Sequence, residues 1–112
     1  MKKTWDLWEI IAINYLKKKW YQILETNFKF SVIWEIDIIA LLNNLYVFVE
    51  VKYRKDDSYW VWGESINYYK KQKLKKTINY FCLKHKIDLE NIRFDVICIL
   101  WSKIDHFENV EL

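Results

Sequence analysis

The chain has 112 residues and a mass of 14.0 kDa, the size of a single domain, and 53% of its residues are hydrophobic, enough to build a core. Because it contains one glycine and no proline, it cannot form a Walker A loop or a GxGxxG motif, which excludes P-loop ATPases and Rossmann dehydrogenases. Its formal net charge of +3 permits nucleic acid as a partner without requiring one.

The first predicted element is a helix over residues 5–19, where apolar residues recur with helical period. The residues of this apolar stripe are Leu7, Trp8, Ile11, Ala12, Tyr15 and Leu16. Asp6 and Glu9 have the spacing of a capping box, with Asp6 as the N-cap. The lysines at 17–19 suit the negative end of the helix dipole, so we expect the helix to end there.

Three strands are predicted next. Residues 20–32 alternate loosely and are rich in aromatic side chains, which indicates an irregular strand. Residues 33–42 and 45–54 are clearer strands. Asn43 and Asn44 lie between them and tolerate the positive φ of a tight turn, so the sequence predicts a hairpin with a two-residue turn.

The second half of the chain predicts a polar and aromatic loop over residues 55–63 and a long helix over residues 65–86. A strong strand is predicted over residues 92–101, and residues 104–110 are expected to add a short edge strand. The element order α-β-β-β-α-β indicates an α/β fold with a mixed sheet, in a single domain over residues 1–112.

The most informative feature of the sequence is a set of charged residues inside the hairpin. With a two-residue turn, Asp37 faces Glu50 and Glu35 faces Lys52, and all four lie on one face of the sheet. The opposite, core face is expected to consist of Ile36, Ile38, Ala40, Val47, Val49 and Val51. Facing carboxylates destabilise a strand pair, and Mg²⁺ prefers oxygen ligands. The spacing therefore indicates either a metal site or a solvated sheet face with an exposed repulsion.

The same segments resemble a known family. Residues 34–39 (WEIDII) and 48–54 (FVEVKYR) are similar to motifs of the small bacterial YraN-like family of uncharacterised proteins. Further matches, in chain order, are Gly63 with the stretch from Ile66 to Lys70, residues 93–97 (RFDVI) and residues 106–110 (HFENV). That family is similar to the PD-(D/E)XK nucleases, in the branch near archaeal Holliday-junction resolvases. The resemblance implies a restriction-endonuclease-like αβββαβ core with a mixed central sheet flanked by helices.

The resemblance also implies roles for individual residues. Asp37 and Glu50 are expected to bind a metal ion, and Lys52 is expected to be the catalytic lysine of the (D/E)XK element. Glu9 is expected to lie near the metal as an additional catalytic acid, and Glu35 is expected to support the site. The expected cofactor is Mg²⁺ or Mn²⁺.

Three basic residues are expected to contact nucleic acid. Lys70, which is also expected to support the site, would lie near a phosphate at the start of the long helix. Lys73 and Arg54 would add further contacts to the nucleic-acid backbone. The lysine-rich face of the helix is more typical of a solvated surface, with nonspecific phosphate contact as the alternative.

The implied function is that of a metal-dependent endonuclease acting on DNA, with branched or recombination and repair DNA as the expected substrate. The alternatives are a catalytically weak or inactive nucleic-acid-binding protein that keeps the nuclease fold, and a purely structural role. Trp34 stands directly before the Glu35-Ile36-Asp37 motif, where related sequences usually have glycine, so its ring is expected to crowd the metal site. A homodimer is left open, since many nucleases that cut both strands act as symmetric dimers.

The remaining polar and sulfur groups are expected to be structural. Arg93 and Asp95 have the same-face spacing of a strand and predict an ion pair, and His106 is expected to have a structural place. Cys82 and Cys98 lie among apolar residues and predict reduced core thiols. No apolar run approaches the roughly 18 residues of a membrane span, so we predict a cytoplasmic protein without a membrane partner.

Overall fold

The computed structural model describes residues 7–30, 34–54 and 68–112 of the chain. Its elements are helix α1 (Leu7–Lys18), strands β1 (Gln22–Phe30), β2 (Trp34–Leu42) and β3 (Leu45–Arg54), helix α2 (Tyr68–His85), a 3₁₀ turn (Leu89–Asn91), and strands β4 (Ile92–Leu100) and β5 (Lys103–Phe107). The predicted N-cap Asp6, the loop at 55–63, the start of the long helix at 65 and the Gly63 and Ile66 part of the family motif lie outside the described residues.

The five strands form one mixed sheet in the order β1-β2-β3-β4-β5. Strands β3 and β4 are parallel, and the other neighbouring strands are antiparallel. The parallel pair is joined by the segment that contains α2, as a parallel connection requires. These observations confirm the predicted α/β fold with a mixed sheet, and the arrangement is compatible with a restriction-endonuclease-like core.

Each helix covers one face of the sheet. The residues buried on the α1 side are Ala12, Ile13, Leu16, Tyr21, Ile38, Ala40, Val47, Val49, Ile97 and Ile99. Those buried on the α2 side are Phe28, Ile36, Ile39, Phe48, Leu74, Ile78, Phe81, Cys82, Phe94, Val96 and Cys98. Both cysteines are buried free thiols, which confirms their predicted place in the core. Across the described parts of the chain, we find no helix with the length and apolar character needed to cross a membrane.

The hairpin of β2 and β3 has the predicted register. Its backbone partners run outward from the turn as far as Ile38 and Val49, and Asn43 has a φ of 55°, in the left-handed region. The pairing ends there, so Asp37 and Glu50 come directly after the last pair. The hairpin therefore positions the charged residues at the point where the two strands separate.

The predicted core face of the hairpin is wrong at one position. Ile36 packs on the α2 side of the sheet, whereas Ile38 packs on the α1 side. Asn27 falls between the pairs Thr26–Ile38 and Phe28–Ile36, at the level of Asp37, and it has a φ of 53°. A residue in this left-handed conformation interrupts the alternation of side chains along β1. At the same level of the sheet, the alternation of side chains along β2 is also interrupted, between Ile36 and Ile38.

Candidate active-site cleft

A cleft of about 510 Å³ opens where β2 and β3 stop pairing. Its lining residues are Lys29, Trp34, Glu35, Asp37, Glu50, Val51 and Lys52. The structure therefore brings together four of the predicted site residues, Glu35, Asp37, Glu50 and Lys52, from two neighbouring strands. The first strand, β1, contributes Lys29 to the same cleft.

The separation of the two strands depends on the Asp37 side chain. Its Oδ2 atom accepts a hydrogen bond of 2.8 Å from the backbone nitrogen of Val51. This bond satisfies an N–H group of β3 beyond the end of the β2–β3 pairing, where no β2 carbonyl is paired with it. The predicted backbone pairing of Asp37 with Glu50 is thus replaced by a side-chain contact, and the two carboxyl groups meet in the cleft instead of facing each other along a regular ladder.

The Glu50 carboxyl is buried beside another carboxyl. Glu50 is 6% exposed, and burial, a hydrogen bond with Asp37 and the Asp37 charge together raise its pKa to about 10. The Lys52 Nζ atom lies 3.9 Å from Glu50 Oε2, and its positive charge lowers the pKa of Glu50 by less than the other causes raise it. Without a bound cation, Glu50 therefore holds a proton at neutral pH.

The two carboxylates fit a hard divalent cation. Mg²⁺ is commonly held by one or two carboxylates together with water and substrate phosphate, and Asp37 and Glu50 offer that donor set. Within residues 7–30, 34–54 and 68–112, no group of three or more His, Cys, Asp or Glu side chains is placed to hold a metal ion. Carboxylate oxygens are the donors that Mg²⁺ and Mn²⁺ prefer, so the Asp37 and Glu50 side chains suit either ion.

Trp34 borders the cleft and leaves it open. Its ring packs against the core on the α2 side, and the cleft keeps a volume of about 510 Å³ beside it. Its Nε1 atom is buried and has no hydrogen-bond partner among the described residues. The expected crowding of the metal site by Trp34 therefore does not close the cleft.

Glu9 contacts the β1 residue at the level of Asp37. It is 9% exposed on α1, and its Oε2 atom accepts a hydrogen bond of 2.8 Å from Asn27 Nδ2. Asn27 lies at the level of Asp37, between the β1–β2 pairs Thr26–Ile38 and Phe28–Ile36. Glu9 itself does not line the cleft, so its role near the metal stays a prediction.

The three predicted nucleic-acid contacts lie outside the cleft lining. Lys70 is exposed in the first turn of α2, and Arg54 is half-buried at the end of β3. The Lys73 Nζ atom lies 4.4 Å from the centre of the Tyr69 ring, in a cation–π contact. Contact of these residues with nucleic acid stays a prediction for the surface around the cleft.

Lys29 is a charged cleft residue that no sequence motif predicted. It is exposed on β1 and lies opposite Glu35. A bulge near the start of β1 shifts the register by one residue, so counting along the strand from its start does not find this pair. The available signal is local: Lys29 stands between Phe28 and Phe30, as a polar position in an alternating strand does.

Asp95 is the centre of a second polar cluster, which joins β4 to β5 and α1. Arg93 donates two hydrogen bonds of 2.8 Å to it, and His106 Nε2 lies 2.7 Å from its carboxylate. Burial acts to raise the pKa of Asp95, but the hydrogen bonds from His106 and Arg93 outweigh it and hold the pKa below its ordinary value. The Tyr15 hydroxyl lies 3.1 Å from the other ring nitrogen of His106. The predicted ion pair is confirmed, and His106 is held within the same structural network.

The cleft lies within a part of the chain that matches a known family. The pattern of the "Uncharacterised protein family UPF0102" matches residues 8–99. A UPF0102 protein of Thermodesulfovibrio yellowstonii is 46% identical, over 90% of this chain and 88% of its own length. UPF0102 proteins of Alkaliphilus oremlandii and Clostridioides difficile are 40% and 37% identical, each over 96% of this chain and over 97% and 96% of their own lengths. The chain therefore belongs to the uncharacterised family UPF0102, which confirms the YraN-like family predicted from its motifs.

Proposed function

We propose that this protein is a Mg²⁺- or Mn²⁺-dependent endonuclease that hydrolyses phosphodiester bonds in DNA in the bacterial cytoplasm. The observation that carries the proposal is the meeting of Asp37 and the buried Glu50 in an open cleft beside Lys52. Burial of Glu50 beside Asp37 disfavours ionisation of Glu50, and a carboxyl perturbed in this way within a cleft is a feature of functional sites. A divalent cation removes that penalty, and the PD-(D/E)XK resemblance of the same residues supplies the reaction.

Each side chain of the cleft has a chemical role in this proposal. Asp37 and Glu50 would hold the cation, which when bound supplies Lewis-acid polarisation of a phosphate oxygen and lowers the pKa of water. The 2.8 Å hydrogen bond from the Val51 N–H fixes the Asp37 carboxylate in advance, so little reorganisation accompanies binding. The Lys52 side chain is 38% exposed, and its charge would offset negative charge that develops on the phosphate.

The decisive test compares DNA cleavage by wild type and two variants. Asp37→Asn and Lys52→Ala are each expected to lower the rate by about 100-fold or more. Asp37→Asn removes a carboxylate that would hold the cation, and Lys52→Ala removes the positive charge that would offset charge on the phosphate. Asp105→Asn is the matched control, since Asp105 is an exposed aspartate on β5 that does not line the cleft. Cleavage that is equal in all four proteins would contradict the proposal and point to a contaminating nuclease.

Branched or recombination and repair DNA is the proposed substrate, on the resemblance to the nucleases near the Holliday-junction resolvases. Four-way junctions, linear duplexes and single strands of equal length would be compared with Mg²⁺ and with Mn²⁺. Faster cleavage of the junction supports this substrate class. Equal rates on junction and duplex would reject the class and leave a general DNA endonuclease.

A nucleic-acid-binding protein without turnover is the second candidate. The observation that favours it is Trp34, a large ring in the cleft wall directly beside the carboxylates. DNA affinity that survives Asp37→Asn, with no cleavage under either metal, would support this candidate over the endonuclease.

A further inference from the structure

Among the described residues that line the cleft there are two lysines, and they differ in what they contact. Lys52 lies 3.9 Å from Glu50 and is engaged with the carboxylate pair. Lys29 approaches from β1, on the other side of β2, and its side chain is exposed. A role in the cleft for Lys29 is independent of the (D/E)XK motif, because it comes from a different strand.

Pairing with Glu35 is the simplest structural role for Lys29, since the two residues are partners in the β1–β2 register. The structure does not form that pair: within the described residues, no carboxylate lies within 4.0 Å of the Lys29 ammonium. The ammonium is therefore available to an anion that enters the cleft.

Once a divalent cation is bound, the charges of the cleft also favour an anion. In the described lining, the three carboxyl groups of Glu35, Asp37 and Glu50 outnumber the two lysines by one when all are ionised. A divalent cation at Asp37 and Glu50 would reverse that balance and leave an excess of one positive charge. A phosphodiester carries one negative charge, so it would neutralise the loaded cleft.

From this geometry we propose that Lys29 binds a backbone phosphate of the nucleic acid, on the β1 side of the cleft and opposite Lys52. The proposal rests on the proposed function, because it takes the cleft to be loaded with a divalent cation. Lys29 is then a substrate-binding residue that holds the strand across the carboxylates, and it contributes affinity rather than the chemical step.

The test measures binding of a fluorescently labelled DNA duplex in the presence of Ca²⁺, as a function of salt concentration. Lys29→Gln is expected to weaken binding several-fold and to reduce the slope of log Kd against log salt by about one unit, the effect of losing one phosphate contact. Lys29→Arg should restore both. Lys103→Gln is the matched control, because Lys103 is an exposed lysine on the opposite edge strand, and it should behave as wild type. Thermal unfolding of each variant checks that the fold is kept.

The outcomes separate this proposal from the nuclease proposal. If Lys29→Gln binds DNA with the same affinity and salt slope as Lys103→Gln, Lys29 is not a phosphate contact, whether or not Asp37-dependent cleavage is found. If wild type does not bind DNA at all, the Lys29 proposal is overturned as well. Calorimetry of Mn²⁺ binding to wild type then shows separately whether the protein has a cation site.

Discussion

The Glu50 carboxyl and the Trp34 indole nitrogen are both buried polar groups in an unfavourable environment. The Glu50 carboxyl is 6% exposed beside Asp37, and the Trp34 indole nitrogen has no hydrogen-bond partner among the described residues. An unsatisfied buried donor costs about 1–3 kcal/mol. Because both groups border one cleft, the destabilisation is local, as it is at sites where function competes with stability.

We expect Glu50→Gln to make stability less dependent on pH. Burial and Asp37 raise the pKa of Glu50 from its ordinary value of 4.5 to about 10, so between these values the folded protein binds more protons than the unfolded chain. The free energy of unfolding therefore falls as pH rises through this window. The neutral amide removes that fall. Urea unfolding at pH 5 and pH 9 measures it, with Glu90→Gln, an exposed glutamate, as the control. Equal pH dependence in wild type and Glu50→Gln would contradict the buried protonated carboxyl.

At the scale of elements, β1 shapes the cleft although it carries none of the motif residues. Asn27 has a φ of 53°, lies at the level of Asp37 and donates a 2.8 Å hydrogen bond to Glu9. The residue thus links α1 to the level of the sheet at which β2 changes its facing. Its backbone conformation and its side chain make separate contributions, and two substitutions distinguish them.

We expect Asn27→Val to destabilise the protein more than Asn27→Gly. Both variants lose the bond to Glu9, but glycine accepts the left-handed conformation and valine does so only at a cost of about 1–2 kcal/mol or more. Chemical denaturation measures the difference in the free energy of unfolding. An equal loss in the two variants would show that the side-chain bond, and not the conformation, is what Asn27 supplies.

The elements that the sequence predicted best are those with regular alternation and a defined turn. The length of the turn at Asn43 fixed the register of β2 and β3, and the meeting of Asp37 with Glu50 followed from it. The register of β1 could not be predicted, because a bulge and a left-handed residue interrupt its alternation. For the same reason, Lys29 was missed and Ile36 was assigned to the wrong face.

At the scale of the whole molecule, the Asp95 cluster connects parts of the chain that are distant in sequence. Asp95 accepts hydrogen bonds from Arg93 and the backbone N–H of Asn109, and His106 links it to Tyr15 of α1. The sequence predicted the ion pair from spacing within β4, whereas the links to α1 and the segment after β5 depend on tertiary packing. This cluster therefore fastens the helix to the far edge of the sheet.

We expect Asp95→Ala to lower the free energy of unfolding by about 3–5 kcal/mol, because it removes the buried partner of the Arg93 charge, 14% exposed, and leaves only the exposed Glu108 carboxylate 3.6 Å away to compensate it. The pKa of Asp95 is held below its ordinary value of 3.8, so its contribution to stability is complete above that value and is lost as pH falls through the lower, folded pKa. Urea unfolding at neutral pH measures the loss. Asp105→Ala is the control, and a loss no greater than in that control would contradict the role of the cluster.

We expect Mn²⁺ to stabilise the whole fold, and only when both carboxylates are present. A ligand at about 100 times its Kd adds about 2.7 kcal/mol to the stability of the state that binds it. Thermal unfolding with and without Mn²⁺ should show a higher Tm for wild type and Asp105→Asn, and no change for Asp37→Asn or Glu50→Ala. Isothermal calorimetry gives the same comparison directly. Equal heats of Mn²⁺ binding for wild type and Glu50→Ala would contradict a cation site at Asp37 and Glu50.

The turn at Asn43 and Asn44 has a consequence for how this chain can change in length. The register counted from that turn sets which residues of β3 stand beside Asp37, and the side chains of a strand alternate between faces. If one residue were inserted in the turn, the register of β3 against β2 would shift by one. The side chains of Glu50 and Lys52 would then point away from the cleft, and those of their neighbours would take their places. Surface loops ordinarily tolerate insertions and deletions. This one carries no chemistry of its own, yet its length is as constrained as the identity of the residues that do.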